Sequence, residues 1–186
     1  AGWKELVTWE GPARRKAITA AQSIGNITYI YIIGGEGLNK DAEGKIHSTP
    51  LTDGYRYSLQ YKEWKRISDS PQPITASPAI KYGQSHILVF GGAMEQKLSD
   101  GREDKPPANT SDLLVYHTIT DTWIKRGKVP LNVKATEAIA YKSGIVLVSG
   151  ETDAKKTTPK VQIMYHDKGA QASFGLINYT FLIFYM

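Results

Sequence analysis

Apolar residues in this chain come in short runs of four or five, each closed by glycine, with no sustained helical period. Tyr29-Ile30-Tyr31-Ile32-Ile33 leads into Gly34-Gly35, Ile87-Leu88-Val89-Phe90 into Gly91-Gly92, and Ile145-Val146-Leu147-Val148 into Ser149-Gly150. Runs of this length, rich in β-branched side chains and bounded by turn residues, predict buried strands. The first two runs share their downstream landmarks: Tyr57 and Trp64 in one, Tyr116 and Trp123 in the other, seven positions apart in both. Pro71 and Pro130 follow each Trp after another seven. The third copy is weaker, with Val161-Gln162-Ile163-Met164-Tyr165 in place and no Trp. Upstream, Trp3-Lys4-Glu5-Leu6 has the register of a strand that closes a preceding unit.

The spacing of 57 to 60 residues, built on an apolar strand, a glycine pair, Tyr and Trp, resembles the kelch repeat, whose period is about 50. One such unit is a four-stranded blade that cannot cover both of its faces alone, so the resemblance implies a β-propeller. The expected fold class is all-β: a partial kelch-type propeller of about three blades out of six. Residues 1–12 are expected to close an upstream blade, 13–72 and 73–131 to form two blades, and 132–168 an incomplete third. Propellers take roughly four to eight blades, so the chain reads as a fragment of a longer protein.

Composition changes this picture little. The net charge of +5 is spread along the chain, with Arg14-Arg15-Lys16 as a short basic cluster. No aromatic-basic groove accompanies it, so no nucleic-acid partner is expected. The chain has no cysteine, which excludes disulfides and thiolate metal sites within it. His47, His86, His117 and His166 are scattered without ligand spacing, and no metal is expected.

The last 13 residues, from Phe174 to Met186, carry no charge and no two-residue alternation. They are too few to cross a bilayer, which takes roughly 20. Two readings stand: a strand on the last blade, or the opening of a transmembrane helix with an interfacial aromatic belt. The second is preferred, with residues 169–186 as linker and helix start.

From Ala76 to Tyr165 the chain resembles the C-terminal blades of bacterial sialic acid mutarotases (N-acetylneuraminate epimerases). The matching elements are Ile87 to Ala93, the loop with Gly101-Arg102-Glu103, Ser111-Asp112-Leu113, and Val146 to Glu151, where Ser149 replaces a glycine. Gly11-Pro12-Ala13-Arg14 resembles a Gly-Pro-Arg element of the same family. Phe174-Gly175-Leu176-Ile177-Asn178-Tyr179 resembles the start of the first membrane helix of sodium:solute symporters. The resemblance implies a cyclically permuted mutarotase domain fused to such a transporter. It would be tethered at its C-terminus on the periplasmic or extracytoplasmic side of the bacterial cytoplasmic membrane, with a sugar acid as ligand.

Repeat register places the turns after the second strands, and those before the first strands, on one end of a propeller. Glu36, Arg102, Glu103 and Glu151 follow second strands, and Arg14 and Arg15 precede a first strand. Interconverting anomers of a 2-ulosonic acid needs a base for the anomeric hydroxyl proton and an acid for the ring oxygen. Glu36 is the first candidate, because Gly34-Gly35-Glu36 resembles the family's strand-end element, and Glu151 the second. Arg14, Arg15 and Arg102, with Glu103 beside them, are candidates for binding the substrate, the arginines by pairing with its carboxylate. No cofactor is implied. One departure is that the family's Glu is closely followed by an Arg, whereas residues 37–52 contain Lys40 and Lys45 and no Arg. The alternative is a non-catalytic kelch module binding a sugar or a protein for a membrane transporter.

Overall fold

Strands form where the apolar runs fall and stop where the glycines require left-handed backbone. The computed structural model describes residues 2–94, 108–152, 156–166 and 181–185. Among them are 17 strands and no helix. β1 (Arg14–Arg15) precedes the first blade, built from β2 (Ile18–Ile24) and β3 (Ile27–Ile33), with β4 (Glu36–Lys40) and β5 (Ile46–Pro50) inserted as a ribbon before β6 (Gly54–Ser58) and β7 (Glu63–Ile67). The second blade contains β8 (Ala79–Tyr82) and β9 (His86–Phe90), the short β10 (Ala93–Met94) and β11 (Ala108–Asn109), then β12 (Asp112–His117) and β13 (Thr122–Lys128). The third contains β14 (Ala138–Tyr141), β15 (Gly144–Val148), β16 (Val161–His166) and β17 (Phe181–Tyr185). Each blade is a four-stranded antiparallel meander, in the orders β2-β3-β6-β7, β8-β9-β12-β13 and β14-β15-β16-β17. The architecture is a partial kelch-type β-propeller, as the repeat implies.

Alternation of side chains along a strand explains the continuous apolar runs. In β9, Ile87 and Val89 pack toward the first blade, in one cluster with Ile18, Tyr31, Ile33 and Ile67. Leu88 and Phe90, on the opposite face, share a second cluster with Val133, Ile145 and Leu147 of the third blade's side. In β12, Leu114 and Tyr116 face back while Leu113 and Val115 face forward. The middle blade is thus packed on both faces.

The aromatic landmarks tie blades together. Tyr116 donates its hydroxyl hydrogen to Asp121 (2.7 Å), whose carboxylate also accepts from the Ser68 amide at the end of the first blade. Trp123 donates its indole N–H to the Ser68 carbonyl at 3.0 Å. Trp64 makes the corresponding bond to the Val7 carbonyl. The N-terminal segment therefore keeps the expected register, but residues 2–12 form no strand and Trp3 is fully exposed.

The glycine pairs dock each second strand onto the lead-in of the next blade. Gly34 has φ 64°, and a Cβ there would lie 2.5 Å from the Ile74 carbonyl oxygen. The Gly35 amide donates to that same carbonyl at 2.8 Å. In the third copy Ser149 is held at φ 59°, a conformation that costs an L-residue roughly 1–2 kcal/mol.

At the C-terminus, Phe181–Tyr185 pairs antiparallel with β16, from His166 opposite Phe181 to Gln162 opposite Tyr185. Of the two readings of the apolar tail, these five residues take the strand. The physical reason is the free edge of β16, whose ladder groups they satisfy. Residues 167–180 and 186 lie outside the described residues. No helix among the described residues is long and apolar enough to cross a membrane.

Candidate functional site

The site is built where the turn after β3 meets the segment leading into β2. β1 pairs antiparallel with β4 in the register Arg15 opposite Glu36, so the two side chains share a face. Arg15 Nε donates to Glu36 Oε2 at 2.9 Å, and Lys16 Nζ to Glu36 Oε1 at 2.8 Å. The carboxylate is 1 % exposed, while the side chains of Arg15 and Lys16 are about half in solvent. Burial pushes the Glu36 carboxyl up, but the hydrogen bonds from Lys16 and Arg15 outweigh it and hold it below the usual carboxylate range. Glu36 is therefore ionised at neutral pH: a base, or the anchor of two cations.

Lys16 sits at φ 56°, and its repeat equivalents Ala76 and Ala135 at 54° and 55°. They form a backbone chain across the blades, the Ala76 amide donating to the Lys16 carbonyl and the Ala135 amide to the Ala76 carbonyl, each at 2.9 Å. Beside this chain lies an open cleft of about 580 Å³ shared by all three blades, with Lys16, Thr19, Ser77, Thr136 and Glu137 as its polar lining over a wall of alanines. Its volume is in the range of small-molecule sites.

The other candidates fall in different places. Glu151 repeats the backbone position of Glu36 with a looser pairing: it bridges to Lys134 through the backbone and meets the single cation Lys134 Nζ at 3.4 Å, its side chain 35 % exposed. Lys134 holds the repeat position of Arg15. The middle blade has Thr75 and Ala93 at these positions, so no ion pair forms there. Arg14 departs from its expected role. Its side chain is fully buried, donates to Asp53 at 3.0 and 2.7 Å, and also reaches the Gly34, Asp53 and Pro12 carbonyls. It lies over the rings of Trp9 and Tyr55. The fold thus engages the Arg14 guanidinium on its edges and over both rings. Arg102 and Glu103 lie outside the described residues.

Sequence reasoning passed over Lys16 and Glu137. The basic cluster at 14–16 was visible, but only the structure shows that Lys16 joins Arg15 at the buried carboxylate. Glu137 carries no motif and gains its place from the neighbouring blade's lead-in. Among the described residues no group of three or more potential metal ligands converges.

Comparison with known proteins gives likeness along most of the chain. An N-acetylneuraminate epimerase of Yersinia enterocolitica is 26 % identical over 175 residues, 81 % of this chain and 43 % of that protein. One of Haemophilus influenzae is 25 % identical over 196 residues, 92 % of this chain and 50 % of that protein. A kelch-like protein of Aspergillus terreus, terF, is 24 % identical over 72 % of this chain and 26 % of that protein. The solved structure of YjhT superposes with a TM-score of 0.71 at 18 % identity, covering 98 % of this chain and 54 % of its own. No family model matches. The chain spans about half the length of the curated epimerases it matches. What these findings establish together is the fold, a kelch-type propeller in part, on a chain similar to N-acetylneuraminate epimerases.

Proposed function

We propose that this chain forms the Glu36-bearing part of a sugar-acid isomerase that interconverts the anomers of N-acetylneuraminate. The observation that carries the reading is the buried Glu36 carboxylate, held by two half-exposed cations beside a cleft of ligand size. The likeness to epimerases supports the choice of substrate.

The chemistry follows from the ion-pair geometry. A substrate carboxylate arriving at the cleft competes for the Arg15 guanidinium and the Lys16 ammonium, which charge-assisted hydrogen bonds favour. Glu36 then loses donors and becomes a stronger base, without leaving its buried position. It takes the anomeric hydroxyl proton as the bond from C2 to the ring oxygen breaks. The protonated Glu36 passes that proton to the ring oxygen, and an open-chain ketone results. Rotation about the bond to the carbonyl carbon and reclosure on the other face return the proton and give the second anomer. Atoms and charge balance with no redox step.

The test is NMR of the C3 methylene proton signals, which differ between the two anomers, of freshly released N-acetylneuraminate, with and without the protein. Faster equilibration is expected, and Glu36→Gln should slow it by about 10²-fold or more. A rate equal to that of buffer would remove the isomerase reading. A second reading, a non-catalytic binding module, is favoured by one observation: both Glu36 oxygens already have partners. It would be kept if the sugar binds while equilibration is unchanged. The resemblance of residues 174–179 to a symporter helix supports a further part of the proposal, that the domain works beside a sodium-coupled transporter on the extracytoplasmic side of a bacterial membrane. Recovery of the full-length protein in a cytosolic fraction would count against that part.

A further inference from the structure

Beyond Glu36, the β4–β5 ribbon carries two aliphatic side chains that its own fold leaves in solvent. Side chains two apart on a strand share a face, and so do cross-strand partners. The register sets Glu36 opposite Pro50, Leu38 opposite Ser48 and Lys40 opposite Ile46, so Leu38 and Ile46 are diagonal neighbours on the Glu36 face. They are 50 and 63 % exposed. The reverse face is tied to itself and to the chain behind it. Asn39 donates to the Thr49 hydroxyl at 3.0 Å, His47 pairs with Asp41, and Leu51 lies behind Gly37. On the front, the Ser48 hydroxyl, which has no other partner, helps to hold the Glu36 carboxyl down. Leu38, opposite Ser48, therefore stands beside the carboxylate site on the same side of the ribbon.

We propose that Leu38 and Ile46 seat the N-acyl group of a sugar acid held at Arg15, Lys16 and Glu36, and that this seat, open on its outer side, takes acyl chains longer than acetyl. The inference rests on the sugar-acid reading of the site. Three observations select the occupant. The first is spacing: Leu38 lies two residues along β4 from Glu36, roughly 7 Å, and a pyranose ring holds an acylamino methyl at a comparable distance from its anomeric hydroxyl. The second is charge. Arg15 and Lys16 stand at the Glu36 end, so the anionic end of a ligand is drawn there and its uncharged side is left for the ribbon. The third is the chemistry of the seat. Two aliphatic side chains suit a methyl carried on an amide, whereas a hydroxyl in that place would give up water for no partner. Because more than half of Ile46 is in solvent, no wall ends the seat after one methyl, and each further methylene covers more aliphatic surface.

Calorimetric titration of the full-length protein compares N-acetylneuraminate with the sugar acid that bears a hydroxyl in place of the acylamino group. The acyl form should bind about 10-fold more tightly. Leu38→Thr combined with Ile46→Thr puts a strand-favouring residue at both positions, and the preference should fall to about twofold. The N-propanoyl and N-butanoyl acids test the open end on the unaltered protein, so the proposal does not depend on how the variant folds. Each added methylene should tighten binding by about twofold to threefold, and binding that weakens with chain length would overturn the proposal. A preference that survives in the double variant would also overturn it, while leaving the sugar-acid reading in place. Should neither sugar acid bind the unaltered protein, that reading and this inference fall together.

Discussion

Arg14 and Arg15 are adjacent in sequence and have opposite fates. Arg14 turns into the blade and is consumed by Asp53, and Arg15 turns out to Glu36. Removing the carboxylate with Asp53→Ala leaves a buried guanidinium without its counter-charge, and a stability loss of about 3 kcal/mol by urea unfolding is expected. Arg15→Ala should change stability far less, because its side chain is half in solvent, but should weaken sugar binding in a titration. The sequence showed that arginines stood at the right end of the blade. It could not show which one was spent on the fold, because that depends on Asp53, 39 positions away. The pH behaviour of Glu36 belongs to this scale. Its folded pKa lies below the unfolded value, so its stabilising contribution is complete above about pH 4.3 and is lost as the pH falls through the lowered folded value. Asp53, Asp112 and Asp121 shift in the same direction, burial opposing and hydrogen-bonding partners prevailing in each. His86 adds an earlier step. Burial, His117 and Arg126 all lower its pKa, so its part begins to be lost below about pH 6.5. Acid unfolding followed by circular dichroism should therefore soften in two stages, and His86→Gln should remove the first.

The strand-end glycines show how much of an element the repeat can encode. Their spacing announced the second strands, and each run ends where predicted. The same spacing identified Ser149 as the departure, and its left-handed backbone is the price of that substitution. Ser149→Gly should stabilise the third blade by about 0.5–1 kcal/mol. Gly34→Ala should cost more than about 1 kcal/mol, since strain and a clash with the Ile74 carbonyl act together. Gly25, at φ 57° with open space around it, should show the strain alone on the same substitution. Thermal melts of the three variants rank these effects. The tail was less legible. Uncharged and without alternation, residues 181–185 suit a helix in lipid or a strand on an apolar edge equally well by composition. The free edge of β16, a feature of tertiary structure, decided between them.

At the scale of the whole molecule, the repeat specified the all-β wedge architecture, while the cleft emerged only from three lead-in segments meeting at one axis. The ion pair of the first blade recurs in the third and is missing from the second, so charge alternates around the opening. The middle blade has a different distinction: among the described residues it has a neighbouring blade packed on its front and on its back. Local opening follows the number of buried contacts, which gives this asymmetry a kinetic meaning. Amide hydrogens of β9 and β12 should be the last to exchange with deuterated solvent, with the flanking sheets losing their protons first and from the outside inward. If the ends instead retain label as long as the centre, something must be shielding them, and in solution that something would be a neighbour.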